Sequence, residues 1–279
     1  ALILEAGGYA QVVAKIERAE AIHRLEEIID AADVVMVARG DLGVEVGDAA
    51  VPGLQKKIIK IARSRNKVVI TATQMMQSMV TNPIPTRAEV SDVANAVLDG
   101  ADALMLSGET SVGDFAIEAV QTMARIIVHT EKNALEKIAP LDSNARPTTK
   151  GGAITKAATE VSSTLNAKFM VAFTESGESA RRMAMFRSPI PILALTPNQG
   201  TYNRLALSWG VEPGIVPPVA HTDEMVKQVD QWLVEHGEAQ VGDQVIIVAG
   251  APPGIPGSTN ALRVHVIGDA VGGRAAAYR

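Results

Sequence analysis

The sequence contains no cysteine, so neither a disulfide framework nor a thiolate metal site is open to it. Aromatic residues are scarce, at 3% of 279 residues, and any core has to be assembled from Val, Ile, Leu, Ala and Met. Positive charge is not in excess. The formal net charge of −5 leaves no basic footprint for nucleic acid. No apolar stretch approaches the roughly 18 residues that argue for a membrane span, and Ala1–Gly8 lacks the basic lead of a signal peptide. A cytoplasmic protein that binds neither nucleic acid nor membrane is the expectation. The chain opens inside what reads as a helix end, Ala1–Ala6, closed by Gly7-Gly8. This suggests a sequence that starts partway through a longer protein.

What is present is apolar and regularly punctuated. Hydrophobic residues make up 47% of the chain, enough for a large core and, at this length, for two domains. Strand-like and helix-like runs alternate. Gln11–Ile16, Asp33–Ala38, Lys67–Thr73 and Ala103–Leu106 read as strands. Between and after them, Ala19–Ala32, Val51–Asn66, a segment from Thr86 to about Leu98, and Phe115–Leu135 have helical spacing. In Val51–Asn66, Leu54, Ile58, Ile59 and Ala62 face inward, while Lys56, Lys57, Lys60 and Arg63 form a solvated face. Thr86 and Glu89 have capping-box spacing, and Gly100 suits a left-handed helix end. Four successive βα units imply a parallel sheet with right-handed crossovers. Each strand ends in a polar turn, as on the active face of a (β/α)8 barrel. Four units make only half of such a barrel, so the other four strands are expected upstream.

Residues 138–150, rich in Pro, Ser, Asn and Thr, read as a linker between a partial barrel at 1–137 and a second α/β domain at 151–279. In the second domain, helices alternate with strands at Lys168–Thr174, Pro191–Leu195, Val211–Val216, Gln244–Ala249 and Ala261–Ile267. The last two strands have no helix between them. This predicts an open, five-stranded mixed sheet between helices, with Trp232 and Leu233 buried.

The chemistry gathers at strand ends. Lys15 and Glu17 are two apart and share one face of a strand. Asp41 lies in the Arg39-Gly40-Asp41 turn after the next strand. Two carboxylates offer hard oxygens to Mg2+ or Mn2+, and a neighbouring lysine is a point charge for a developing anion. Gly40 has no Cβ, so backbone N–H groups there can meet a carboxylate. Thr73 supplies a hydroxyl at the end of the third strand. The competing reading is a salt-bridged strand end with an ordinary turn, and both stand on these residues alone. Ser107 and Glu109 fit either a proton path or satisfaction of turn backbone groups. Arg87 fits an exposed or an interface arginine. Thr174, Ser176, Gly177 and Ser179 open a helix after a strand, which suits either an effector phosphate or plain N-capping, with Glu175 and Glu178 opposing phosphate. The loop Gly257-Ser258-Thr259-Asn260 would close over that site. The five histidines have no metal-ligand spacing.

Several of these motifs together resemble the pyruvate kinase family: Ala-Lys-Ile-Glu (14–17), Val-Ala-Arg-Gly-Asp-Leu-Gly-Val-Glu (37–45), Thr-Ala-Thr-Gln-Met (71–75), Pro-Thr-Arg-Ala-Glu-Val-Ser-Asp-Val-Ala-Asn-Ala-Val (85–97) and Asp-Gly-Ala-Asp-Ala-Leu-Met-Leu-Ser-Gly-Glu-Thr (99–110). The resemblance is dense over 11–120 and looser through the second domain. It implies phosphoryl transfer from phosphoenolpyruvate to ADP, giving pyruvate and ATP in glycolysis. Lys15 would stabilise charge on the transferring group and the enolate. Glu17 and Asp41 would hold Mg2+, and Gly40, Asp41 and Thr73 the substrate carboxylate. A K+ requirement, a sugar-phosphate or nucleotide effector and a homotetramer are also implied. The family's substrate arginine, K+ ligands and lid domain belong to the first half of the barrel, outside this chain, so the isolated chain is expected to be inactive. Glu178 departs from the basic or neutral residue that relatives often carry, which puts the effector's identity in question. Two other readings are a different magnesium-dependent barrel enzyme acting on pyruvate or phosphoenolpyruvate (an aldolase or lyase) and a non-catalytic regulatory or assembly module.

Overall fold

The computed structural model describes residues 2–8, 10–135, 149–255 and 257–269. Most of the expected 138–150 linker lies outside the described residues. The chain divides into two compact units, Ala1–Leu141 and Asp142–Arg279.

The first unit carries α1 (Leu2–Glu5), β1 (Val13–Ile16), α2 (Ala19–His23), α3 (Leu25–Ala31), β2 (Val34–Ala38), α4 (Arg39–Val46), α5 (Val51–Ser64), β3 (Val68–Ala72), α6 (Arg87–Asp99), β4 (Ala103–Met105), α7 (Gly108–Ser111) and α8 (Ala116–Ala134). The strands form a parallel sheet in the order β1-β2-β3-β4. Register follows from the two-residue alternation of side chains. Val35, Val37 and Val69 face Ile29, Ile58, Ile59 and Ala62 in one core. Val34, Val68 and Ile70 face the other way, with Met36, Ala103 and Met105 packed against them. A methionine-rich cluster of Met75, Met76, Met79 and Met123 fills the space between α6 and α8, where the scarcity of aromatics calls for flexible side chains.

Local chemistry fixes the boundaries and alters three sequence expectations. The expected helix Ala19–Ala32 breaks at Arg24, whose φ of −117° ends α2 and opens α3. The break puts Leu25 and Ile29 into the core and leaves Ile22 and Ile28 half-buried. Arg63 is buried rather than solvated, and it lies in the slot left by Gly100, where a Cβ would come 2.7 Å from Nη1. Arg39-Gly40-Asp41 is the first turn of α4 and not a loop turn. The chain passes from β2 straight into a helix with few apolar residues, so no periodic pattern marks its start. Thr86 and Glu89 form the expected capping box, and Gly100 is left-handed at φ 93°.

The second unit carries α9 (Lys150–Leu165), β5 (Phe169–Phe173), α10 (Glu178–Ala184), β6 (Ile192–Thr196), α11 (Gln199–Leu205), β7 (Val211–Ile215), α12 (Thr222–Glu235), β8 (Gln244–Gly250) and β9 (Thr259–Val266). Sheet order is β7-β6-β5-β8-β9, parallel except for β9 against β8. Met170, Ala172, Ala194 and Ile246 face α9 and α10, while Val171, Leu193, Leu195 and Ile247 face α12. The antiparallel edge strand is tied to α12 by His265, buried and 2.6 Å from Asp230 Oδ1. Leu233 is buried as expected, but Trp232 is only half-buried, stacked on His236 at 4.0 Å.

The capping box generates a prediction. Burial pushes the Glu89 carboxyl up, but bonds from Ser78 and Thr86 outweigh it and hold the group below its ordinary 4.5. A depressed carboxylate stabilises the fold above that value and stops doing so as pH falls through the depressed one. Thr86→Ala should therefore cost about 1 kcal/mol near neutral pH, with the difference narrowing in acid, as read by urea unfolding at several pH values.

Candidate functional site

Lys15 lies on the strand rung shared with Met36, Ile70 and Ala103. Glu17 follows one residue beyond β1, and Asp41 sits in the first turn of α4, just past β2. Parallel register thus brings three charged residues to one end of the sheet. The Lys15 ammonium contacts the Glu17 carboxylate and donates to Asp41 Oδ2 at 2.9 Å. All three side chains are open to water, at 46%, 30% and 61% exposure. The Asp41 and Glu17 carboxylates raise the Lys15 pKa above its ordinary 10.5. The Lys15 ammonium lowers that of Asp41 below 3.8. A raised lysine contributes fully below its ordinary value and is lost as pH rises through the raised one. A depressed aspartate contributes above its ordinary value and is lost as pH falls. Lys15 and Asp41 therefore both keep their charges across the whole range between 3.8 and 10.5.

Two carboxylates meeting one cation suit a divalent metal by donor type. Among the described residues no group of three or more His, Cys, Asp or Glu could hold a metal by itself. Glu17 and Asp41 therefore fit Mg2+ only with water or ligand oxygens completing the shell, and their exposure leaves room for both.

Beside the charges lies a second, neutral arrangement. The Gly40 N–H donates to Thr73 Oγ1 at 2.9 Å, and Thr73 Oγ1 donates to the Ala72 carbonyl at 2.7 Å. A Cβ at residue 40 would meet only ordinary contacts, the nearest at 3.5 Å. Packing within the chain therefore does not demand glycine at this position. Thr73 and Gln74 are both left-handed, at φ 68° and 54°. For non-glycine residues this costs roughly 1–2 kcal/mol each, and a β-branched threonine there is a marked outlier.

What offsets the strain is Arg39, which the sequence reading passed over. Its guanidinium, 10% exposed, donates to the Thr73 carbonyl at 2.8 Å and the Gln74 carbonyl at 3.1 Å. Its other arm bonds Asp92 of α6 at 2.8 Å. Charge-assisted bonds of this kind contribute about 1.5–3 kcal/mol each. The available signal was an arginine directly before the Gly-Asp pair.

The remaining candidates lie apart from this cluster's contacts. Glu109 is buried and accepts from Met76 N at 3.1 Å and Ser107 N at 2.8 Å, the backbone-satisfying arrangement. Arg87 is exposed at the first position of α6. In the second unit, Thr174 Oγ1 accepts from the Gly177 N–H at 2.9 Å, Ser176 Oγ from Glu178 N at 3.4 Å, and Ser179 pairs with Thr259 at 2.6 Å. Thr174, Ser176, Ser179 and the 257–260 loop line one cavity of about 530 Å3 at the carboxyl ends of β5 to β7. Its lining also includes the apolar side chains of Phe173, Leu195, Val216 and Met225. Burial raises the Glu178 carboxyl, but Arg182 and Arg181 outweigh this and hold it low. The charge expected to oppose phosphate is thus met by two arginines.

Polar and charged groups at the carboxyl ends of parallel strands define a class: α/β proteins, whose ligand sites lie at that end of the sheet. The comparisons narrow it. Residues 1–120 match the family model "Pyruvate kinase, barrel domain", and residues 152–265 match "Pyruvate kinase, alpha/beta domain". The chain is 53% identical over 263 residues to a pyruvate kinase of Mycobacterium tuberculosis, covering 94% of the chain and 55% of the relative. It is 49% identical over 265 residues to one of Corynebacterium glutamicum, covering 95% and 55%. A crystal structure of a pyruvate kinase from Cryptosporidium parvum superposes with a TM-score of 0.86 at 32% identity, over 93% of this chain and 52% of that one. The chain belongs to the pyruvate kinase family, and it spans about half the length of the curated relatives it matches.

The charge cluster can be tested directly. Asp41→Asn should bring the Lys15 titration down toward 10.5, followed by NMR at the lysine side chain. An unchanged midpoint would show that the pair does not persist in solution.

Proposed function

We propose that this chain supplies the magnesium and carboxylate half of a pyruvate kinase active site, acting in the cytoplasm on phosphoenolpyruvate and ADP to give pyruvate and ATP. The observation that carries the reading is the convergence of Lys15, Glu17 and Asp41 beside the Gly40–Thr73 donor pair. Phosphoryl transfer asks mainly for positioning and charge neutralisation. The Lys15 ammonium faces the transferring group and balances the charge that builds on the enolate oxygen. Gly40 N–H and Thr73 Oγ1 hold the substrate carboxylate, which fixes the distance from the reacting oxygen to Lys15. Glu17 and Asp41 hold Mg2+ or Mn2+, which when bound neutralises phosphoryl charge. Ser107 and Glu109 are assigned to the turn that supports Met76 and not to a proton path.

Units 1–137 and 151–279 act as the second half of a (β/α)8 barrel and as a regulatory domain. The half-barrel reading is supported by the burial gradient across the parallel sheet: β2 and β3 are nearly wholly buried, while β1 and β4 are half-exposed. Parallel sheets need both faces and both edges covered, and the relatives are about twice this long. The K+ ligands belong to the other half. A homotetramer, with Arg87 at an interface between subunits, is part of the same reading. The cavity of the second unit is the effector site, with Thr174, Ser176, Gly177 and Ser179 toward a sugar phosphate or nucleotide.

The chain alone should give no ATP from phosphoenolpyruvate and ADP. Joined to the unmatched part of the Mycobacterium tuberculosis relative, it should show magnesium-dependent turnover that Lys15→Met lowers by roughly 10²-fold or more. Turnover by the chain alone would overturn the half-site reading. For the second unit, glucose 6-phosphate or AMP should raise the melting temperature of the unmodified chain but not of Ser179→Ala. Equal shifts in both would remove the effector assignment.

A further inference from the structure

Resting on the carboxylate-site reading above, we infer that Arg39 is a positioning residue that holds Thr73 Oγ1 against the Gly40 N–H, the hydrogen-bonded pair that a substrate carboxylate would have to open in order to bind between them. The argument begins with connectivity. Arg39 immediately precedes Gly40 at the start of α4, so its backbone holds one donor. Its side chain crosses to the end of β3 and binds the carbonyls of Thr73 and Gln74, so its guanidinium holds the other. One residue therefore spans the gap between the two strands at the point where a carboxylate would bridge them.

The geometry needs such a tie. Thr73 and Gln74 are consecutive left-handed residues without glycine's freedom. Released, the turn would relax to ordinary backbone angles and swing Oγ1 away from Gly40. The guanidinium is suited to the work because its planar fork reaches two carbonyls and a carboxylate together. Asp92 Oδ1, 2.8 Å from Nη1, fixes the other side of the fork to α6. A lysine would keep the charge and lose the fork. Arg39 touches neither the metal carboxylates nor Lys15 through any hydrogen bond or ion pair among the described residues, so its effect should fall on carboxylate binding and spare the metal site.

Arg39→Lys and Asp92→Asn test this in the 279-residue chain. Four quantities are read: Gly40 amide exchange by NMR, melting temperature, Mn2+ affinity by electron paramagnetic resonance, and pyruvate affinity with Mn2+ saturating. Both variants should speed Gly40 exchange and weaken pyruvate by about tenfold while Mn2+ affinity stays put. Unchanged Gly40 exchange in both variants would overturn the inference. So would equal losses of Mn2+ and pyruvate that track the melting temperature, since a merely structural arginine would produce that pattern. Asp92→Asn, at a half-exposed aspartate, keeps the test alive if Arg39→Lys does not fold. If the unmodified chain binds no pyruvate while Gly40 exchange still responds to Arg39→Lys, the phosphoryl-transfer reading falls and the hold of Arg39 on the donor pair stands.

Discussion

One ammonium between two carboxylates is the interaction around which the first unit makes sense. Two carboxylates at adjacent strand ends repel each other. Lys15 offsets that repulsion by pairing with both. Because the groups are largely hydrated, the pairs are weak and cheap to rearrange. That is what a site needs if a divalent ion and an anion are to enter and take over the same charges. The neighbouring hydrogen-bond apparatus has the opposite character. Arg39 is nearly buried and fully engaged, so the Gly40–Thr73 hydrogen bond is held in place while the charges beside it are free to move.

Much of this was legible in the residues, for reasons that differ from element to element. The strands were legible because central parallel strands are covered on both faces and read as apolar runs, as in Val34–Ala38 and Val68–Ala72. The capping box at Thr86 and Glu89 was legible because two side chains and two N–H groups satisfy one another at a fixed spacing. The start of α4 was not. Arg39-Gly40-Asp41 has turn chemistry, and its helical state comes from following β2 without a loop and burying Leu42. The buried Arg63 was hidden for a related reason. Helical periodicity puts it on a polar face, and only the missing side chain at Gly100, far along the sequence, opens the slot that covers it.

The second unit repeats the logic with a different balance. The Thr174–Ser179 turn was legible as either a cap or an anion site, and its geometry serves the cap first: Thr174 and Ser176 accept N–H groups of their own loop. What composition could not give was the environment of Glu178. Counted along the chain it adds negative charge. In space its carboxylate is paired with Arg181 and Arg182, one turn along the same helix, and apolar lining comes from β5, β6, the end of β7 and α12. The sign at this site follows from helical spacing, and its shape from elements that sequence distance separates.

The strained turn at Thr73 and Gln74 carries the argument one step further. Backbone held in a rare conformation persists only when its surroundings over-determine it. Here the surroundings are a single guanidinium, the Gly40 N–H and the Ala72 carbonyl. None of these contacts is needed to close the sheet, since β3 is already paired along its length with β2 and over Ile70–Ala72 with β4. A turn that only linked β3 to the next element could relax without disturbing either pairing. The strain is therefore better explained by what it does with one hydroxyl: it holds Thr73 Oγ1 against the first turn of α4, where it accepts the Gly40 N–H and donates to the Ala72 carbonyl.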